Sequence, residues 1–196
     1  MIALRLRFSV GRYHATPWGR HVNEAALAWP PEPVRILRAL IACQHRKVDK
    51  AQFSNDALAD LIDVLAGQLP IYRLPEAVHA HTRHYMTINC NNPALVFDAF
   101  ARFDPGEPLI VGWPSTALNP EQRAHLDHLA ACLGYLGRAE SWVGRLSIGV
   151  AKEPTLGPCA RATAKMTGAP PMRRGPILLL FMRHYRQRPI GNGGNT

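Results

Sequence analysis

The chain has 196 residues, is 47% hydrophobic and carries a formal net charge of +9. That length buries one large or two small cores, and the apolar fraction is too high for a disordered chain. No apolar run approaches the ~20 residues of a membrane-spanning helix, so no membrane partner is expected.

Ile2, Leu4, Leu6 and Phe8 alternate with Ala3, Arg5 and Arg7. The period of two predicts a strand with one apolar and one basic face. The same alternation is unlike the continuous apolar stretch of a secretory signal. Burying the apolar face offers Arg5 and Arg7 to a ligand on the other, although solvated arginines on an exposed strand are the commoner case.

Gly11 to Asn23, GRYHATPWGRHVN, follows with two Arg, two His, Tyr13, Trp18 and no acid. Arginine holds phosphate bidentately, and aromatic faces stack on unpaired bases. Composition alone supports an RNA-contacting loop and a solvated surface loop equally.

Trp29, Pro30, Pro31 and Pro33 stop regular structure and launch a helix, because proline fits a first helical turn. Val34, Leu37 and Ile41, with Ile36 and Leu40, give it an apolar stripe. Arg35 and Arg38 share a side, and His45, Arg46 and Lys47 sit at the C-terminal end favoured by the helix dipole. Ser54 or Asn55 caps a second helix, with Leu58, Leu61, Ile62 and Leu65 in its stripe and Gly67 ending it. Asp56, Asp60 and Asp63 are expected to face solvent.

Pro70 to Pro75 reads as a short extended piece. His79, His81, Arg83, His84 and Tyr85 come next, and a polar loop is the plainest reading. Three of these are histidines that could reach a metal, but no nearby acid or cysteine completes a shell. His81 or His84 is alternatively a general acid or base. Asn89 to Pro93 is a turn-rich linker. Leu95 to Phe103 and Leu109 to Trp113 flank Asp104-Pro105-Gly106, which predicts a β-hairpin.

Asn119-Pro120 starts a third helix with core residues Leu126, Leu129, Ala130 and Leu133. His125, His128 and Cys132 share a side, which is expected to be a solvated flank rather than a metal face. Cys43, Cys90, Cys132 and Cys159 are widely spaced and read as reduced thiols, so no metal site and no cofactor are expected. Gly134 to Trp142, GYLGRAESW, is glycine-punctuated and carries Arg138 and Glu140.

Charge divides unevenly. Residues 1–143 hold 14 Lys+Arg against 13 Asp+Glu, whereas residues 144–196 hold 9 against one, Glu153. The basic balance belongs mostly to a tail rich in Ala, Gly, Pro and Arg. Within it, Ile177 to Met182 is a candidate strand and GNGGNT a disordered end. A basic tail binds nucleic acid or has no fixed role.

Strand, helix, helix, extended piece, hairpin and helix predict an α+β fold, with helices packed on one face of a mainly antiparallel sheet. A ferredoxin-like arrangement of the RRM type fits loosely, and its open sheet face is a common RNA platform.

Four segments in order, GRYHATPWGRHVNEAALAWPPEPVRILRAL, HTRHYM, LVFDAF and GYLGRAESW, together resemble one family. It is the CRISPR-associated RAMP subunit of type I-G (formerly I-U) effector complexes, a fusion of the modules called Cas-five and Cas-six. The resemblance covers residues 1–146. It implies a ferredoxin-like RAMP fold, a cytoplasmic setting in a bacterium or archaeon, and binding of CRISPR RNA. The implied protein partners are other Cascade subunits, the backbone RAMP subunit and the large subunit. Residues in the matching motifs are Arg12, Tyr13, His14, Trp18, Arg20, His21, His81, Arg83, His84, Tyr85, Arg138 and Glu140. Family members are far longer and residues 147–196 do not resemble their continuation. The tail is therefore expected to be truncated or out-of-frame sequence.

Two functional expectations follow. The first is a non-catalytic RNA-binding subunit, with phosphate contacts from Arg5, Arg7, Arg12, Arg20 and Arg83 and stacking by Tyr13, Trp18 and Tyr85; His21 and Arg138 complete the set. The second is a metal-independent endoribonuclease, in which His14, His81 or His84 deprotonates the ribose 2′-OH and Arg20 or Arg83 stabilises the developing charge.

Overall fold

The computed structural model describes residues 2–49, 51–86, 94–144 and 147–149. The expected linker at Asn89–Pro93, the strand at Ile177–Met182 and the closing GNGGNT all lie outside those residues. Within them the fold is α+β, as the pattern predicts.

The period-two opening forms β1 (Ile2–Leu6), with Ile2, Leu4 and Leu6 buried and Arg5 exposed. Phe8 continues the buried face and bridges to Val143. Strand β1 is internal to a four-stranded sheet of order β3-β6-β1-β7, where β3 is Ile71–Arg73, β6 is Leu109–Trp113 and β7 is Ser147–Gly149. All three neighbouring pairs are antiparallel. Strand β7 lies just past the expected boundary at residue 146.

Helix α1 (Pro33–Lys47) begins with proline in its first turn and buries Ile36, Leu37, Leu40 and Ile41. Helix α2 (Asn55–Ala66) is capped by Ser54, whose hydroxyl accepts the Ala57 N–H at 3.1 Å. Helix α3 (Pro120–Cys132) carries a capping box in which Asn119 and Gln122 exchange side-chain and backbone bonds. The three helices pack on one face of the sheet, and their apolar stripes share one core with Leu4, Leu6, Leu109, Val111 and Trp113. Trp113 Nε1–H donates to the Leu65 carbonyl at 3.0 Å, fixing α2 to β6.

Three expectations are corrected. The stretch read as a polar loop is β4 (Ala77–Met86), a ten-residue strand. It pairs with β5 (Ala94–Phe103), which also pairs with the two-residue β2 (Arg12–Tyr13) in a second, three-stranded sheet. The predicted hairpin of β5 with β6 therefore does not form. The Asp104 turn is present, with Gly106 N–H donating to Asp104 Oδ1 at 2.8 Å, but it passes the chain from one sheet to the other.

His125 is not on a solvated flank. It is 1% exposed, stacks on Phe53 at 4.3 Å, and donates from Nε2–H to Gln44 Oε1 at 2.7 Å. Gln44 in turn donates to the Phe53 carbonyl at 2.7 Å. The imidazole is thus a satisfied core group, and burial, helped by nearby His128, lowers its pKa below the ordinary 6.5.

An unfolded histidine takes up a proton near that ordinary value, while folded His125 resists it. Its contribution to stability is therefore complete above the unfolded pKa and declines as pH falls below it. The melting temperature should drop between pH 7.5 and 5.5. In His125→Gln, which keeps a donor for Gln44 but does not titrate, that drop should shrink. An unchanged pH dependence would show that His125 titrates normally in the fold.

Candidate nucleic-acid interface

Cross-strand partners in an antiparallel sheet share a face. Arg5 pairs with Ile110 and Ile110 with Arg73, so the two arginines flank Ile110 on the face away from the helices. Two strand spacings set them about 10 Å apart. Arg7 lies two residues along from Arg5 on the same side, and all three are exposed. Among the described residues none of the three makes an ion pair. Ile71 lies over Gly112, with Cγ1 3.5 Å from where a Cβ would stand, and closes one end of this face. At the other end the Ser9 N–H donates to the Trp142 carbonyl at 3.0 Å. Val143 points into the core, so Trp142, 59% exposed, stands on the open side. The result is a basic strip ending in an exposed indole.

The β4–β5 hairpin extends from the second sheet. Alternation places His79, His81, Arg83 and Tyr85 on one side and Val78, Thr82 and His84 on the other. Arg83 lies over the Phe97 ring at 5.0 Å, and Arg12 over Phe100 at 3.9 Å. Tyr85 is 64% exposed. His79 and His81 therefore face away from His84, and the three do not converge on one ion. Among the described residues no group of three or more His, Cys, Asp or Glu side chains is placed to hold a metal.

The Gly11–Asn23 segment divides. Trp18 is 88% exposed, and His21 is exposed beside it in sequence. Arg20 is exposed but pairs with Glu24 at 3.0 Å. Two expected site residues, the stacking Tyr13 and the candidate base His14, are instead interior. Tyr13 is fully buried, edge-on to Phe8 and tilted against Trp29, so it is a core aromatic rather than a stacking platform. Burial also pushes its hydroxyl pKa far up, out of reach of acid–base chemistry near neutrality.

His14 is 2% exposed and tied to the GYLGRAESW segment from every side. Its Nδ1–H donates to Glu140 Oε1 at 2.8 Å, and its backbone N–H to Ser141 Oγ at 2.8 Å. Its carbonyl accepts the Arg138 N–H at 2.9 Å. Burial is the main cause of a lowered His14 pKa; the Glu140 bond opposes it without reversing it. Arg138 reaches across to Asp98 on β5 at 2.9 Å, and His84 approaches the same carboxylate at 3.7 Å. His14, Glu140, Arg138, Asp98 and His84 thus form one network that joins the hairpin sheet to the main body.

A His–carboxylate pair beside an arginine has the makings of an acid–base site. The buried imidazole, however, cannot touch a ribose hydroxyl while the segment is closed over it. His81 and His84, on opposite faces, do not supply an acid and a base to one phosphate. Of the thirteen residues marked from the sequence, the structure presents Arg5 and Arg7 together on one face and Arg83 and Tyr85 together on another. Arg73 and Trp142 were missed as contacts. Arg73 is legible only through the register of β3, and Trp142 only through its alternation with Val143.

No protein-family model matches the chain, and no curated protein matches it significantly.

The clamp around His14 depends on Gly137. Its φ is +89°, and a Cβ there would stand 2.4 Å from the His14 carbonyl oxygen. Gly137→Ala therefore meets both left-handed strain and a backbone clash, and should lose more than about 2 kcal/mol of stability. Urea unfolding monitored by tryptophan fluorescence measures this; an unchanged midpoint would mean that the segment does not close on His14 in solution.

Proposed function

We propose that this chain binds single-stranded CRISPR RNA on the open face of its four-stranded sheet, as a subunit of a type I-G Cascade complex in antiviral defence. The observation that carries RNA binding is the strip of Arg73, Arg5 and Arg7 running to exposed Trp142. Arginines neutralise backbone phosphates, and an indole stacks on any base, so such a strip suits an unpaired strand.

The CRISPR assignment rests on the four segments that resemble the type I-G RAMP subunit. The residues of those segments are drawn into one network: His14 and Arg138 with Glu140 and Asp98, and His84 beside them. A cytoplasmic setting and contact with the other Cascade subunits go with this reading.

The finer fold reading is a ferredoxin-like module. The strand order β3-β6-β1-β7, antiparallel throughout, supports it. So do the helical connections, α1 and α2 between β1 and β3, and α3 between β6 and β7. The β4–β5 hairpin is then an insertion between β3 and β6, the second and third strands of that sheet in chain order. Binding is preferred to cleavage because His14 is covered and His81 and His84 face apart.

The test is fluorescence anisotropy with labelled CRISPR repeat RNA in EDTA, across a salt series. Affinity should fall steeply with salt, and the RNA should be recovered intact. The triple variant Arg5→Ala, Arg7→Ala, Arg73→Ala should reduce the slope of log affinity against log salt by about 2, near 0.7 per lost phosphate contact. Salt-insensitive binding, or an unchanged slope in a normally folded triple variant, overturns the reading.

A further inference from the structure

A second basic feature lies on the helical side of the molecule, away from the open sheet face. It is a cleft of about 310 Å³ between α1 and the chain that follows α3. Arg35, Arg38, Arg46 and Lys47 line it, its floor is made by small side chains of α1, and Tyr135 stands on the opposite wall. No acidic residue lines it. Tyr135 is 45% exposed, so part of its ring is open to a ligand.

The helix dipole accounts for only half of these cations. Arg46 and Lys47 lie in the last turn of α1, where a positive charge is favoured. Arg35 lies in the first turn, where the dipole opposes it. It is held there by the Glu32 carboxylate at 3.1 Å and the Thr16 carbonyl at 2.8 Å. Lys47 is also positioned, its ammonium donating to the Cys132 carbonyl at 2.7 Å across the end of the cleft. Two of the four cations are thus fixed by hydrogen bonds at opposite ends of one concavity. The cleft thus presents cations from both ends of α1, with the charge of Arg35 offset by Glu32, and their fields add toward the space between them.

We propose that this cleft binds a nucleotide phosphate, with the phosphate among Arg38, Arg46 and Lys47 and the base or ribose against Tyr135. A volume near 310 Å³ is at the small end of ligand pockets and suits one nucleotide rather than a duplex. The ligand chemistry is a terminal phosphomonoester. It has two sources, a free mononucleotide and the phosphorylated end of a strand whose body lies elsewhere on the protein. This site is independent of the sheet-face reading.

The test uses the full chain at constant ionic strength. Calorimetric titration with AMP should show one binding event, and adenosine none. A short RNA carrying a 5′-phosphate should bind more tightly than its 5′-hydroxyl twin if the source is a strand end, and equally if the source is the free nucleotide. Arg46→Ala should weaken AMP binding about ten-fold, the loss of one charge-assisted contact. Tyr135→Leu should weaken it by a smaller factor. Both side chains are exposed, so both variants should keep the wild-type melting temperature. The triple arginine variant of the sheet face should bind AMP normally, which separates a failure of one site from a failure of the other. No heat with AMP together with equal binding of the two RNAs overturns the proposal, as does AMP binding that survives Arg46→Ala unchanged.

Discussion

Everything in this molecule turns on burying one face of β1. Leu4, Leu6 and Phe8 are almost fully enclosed, and the strand is flanked by β6 on one side and β7 on the other. Removing those side chains from water stabilises the fold by roughly 1.5–3 kcal/mol each. Because successive side chains alternate, the same burial forces Arg5 and Arg7 outward. A one-residue slip in register would bury both arginines and expose the core, so the basic face is as firmly specified as the hydrophobic one.

The second sheet is attached differently. Its strand β2 pairs with β5 over two residues, and its outer hairpin has little core of its own. Two-stranded ribbons are marginal alone. The attachment is made by Tyr13, Ala101 and Phe103, which join the common core beside Phe8, and by polar links: His14 to Glu140, and Arg138 to Asp98 on β5. Both are half-buried, and they bring together residues distant in sequence. His14, one of the three histidines expected as a possible base, is thus a fastening point. Its lowered pKa keeps it neutral near pH 7, as burial requires.

How far the sequence could be read follows from where side chains meet water. Strand β1 and helices α1 and α2 show clean periods because each has one buried and one solvated side; the period of α3 is weaker because His125 sits on its buried side. Ser54, Pro33 and Asn119 marked helix starts through local chemistry that needs no tertiary partner. Strand β4 showed no period because both its faces are polar: AVHAHTRHYM puts His81 on one side and His84 on the other, and both are exposed. Strand β5 was paired with the wrong neighbour because the nearest turn, at Asp104, is real but leads between sheets. For His125 the absence of a fourth ligand in sequence argues against a metal face and so favours a solvated flank; its neighbours Leu126, Leu129 and Ala130 mark the buried side of α3, but the Gln44 partner that makes burial tolerable lies far away in sequence. Arg73 needed the register of β3 against β6, which no local pattern contains.

The central claim is that the helix-free face of the four-stranded sheet is an RNA platform. Ultraviolet crosslinking of the full chain to CRISPR repeat RNA, with the adducts located by mass spectrometry, tests it most directly. The account predicts adducts at Trp142 and in the peptide that carries Arg5 and Arg7. Adducts confined to residues 150–196, with none on the sheet face, would contradict it and assign the RNA to the basic tail.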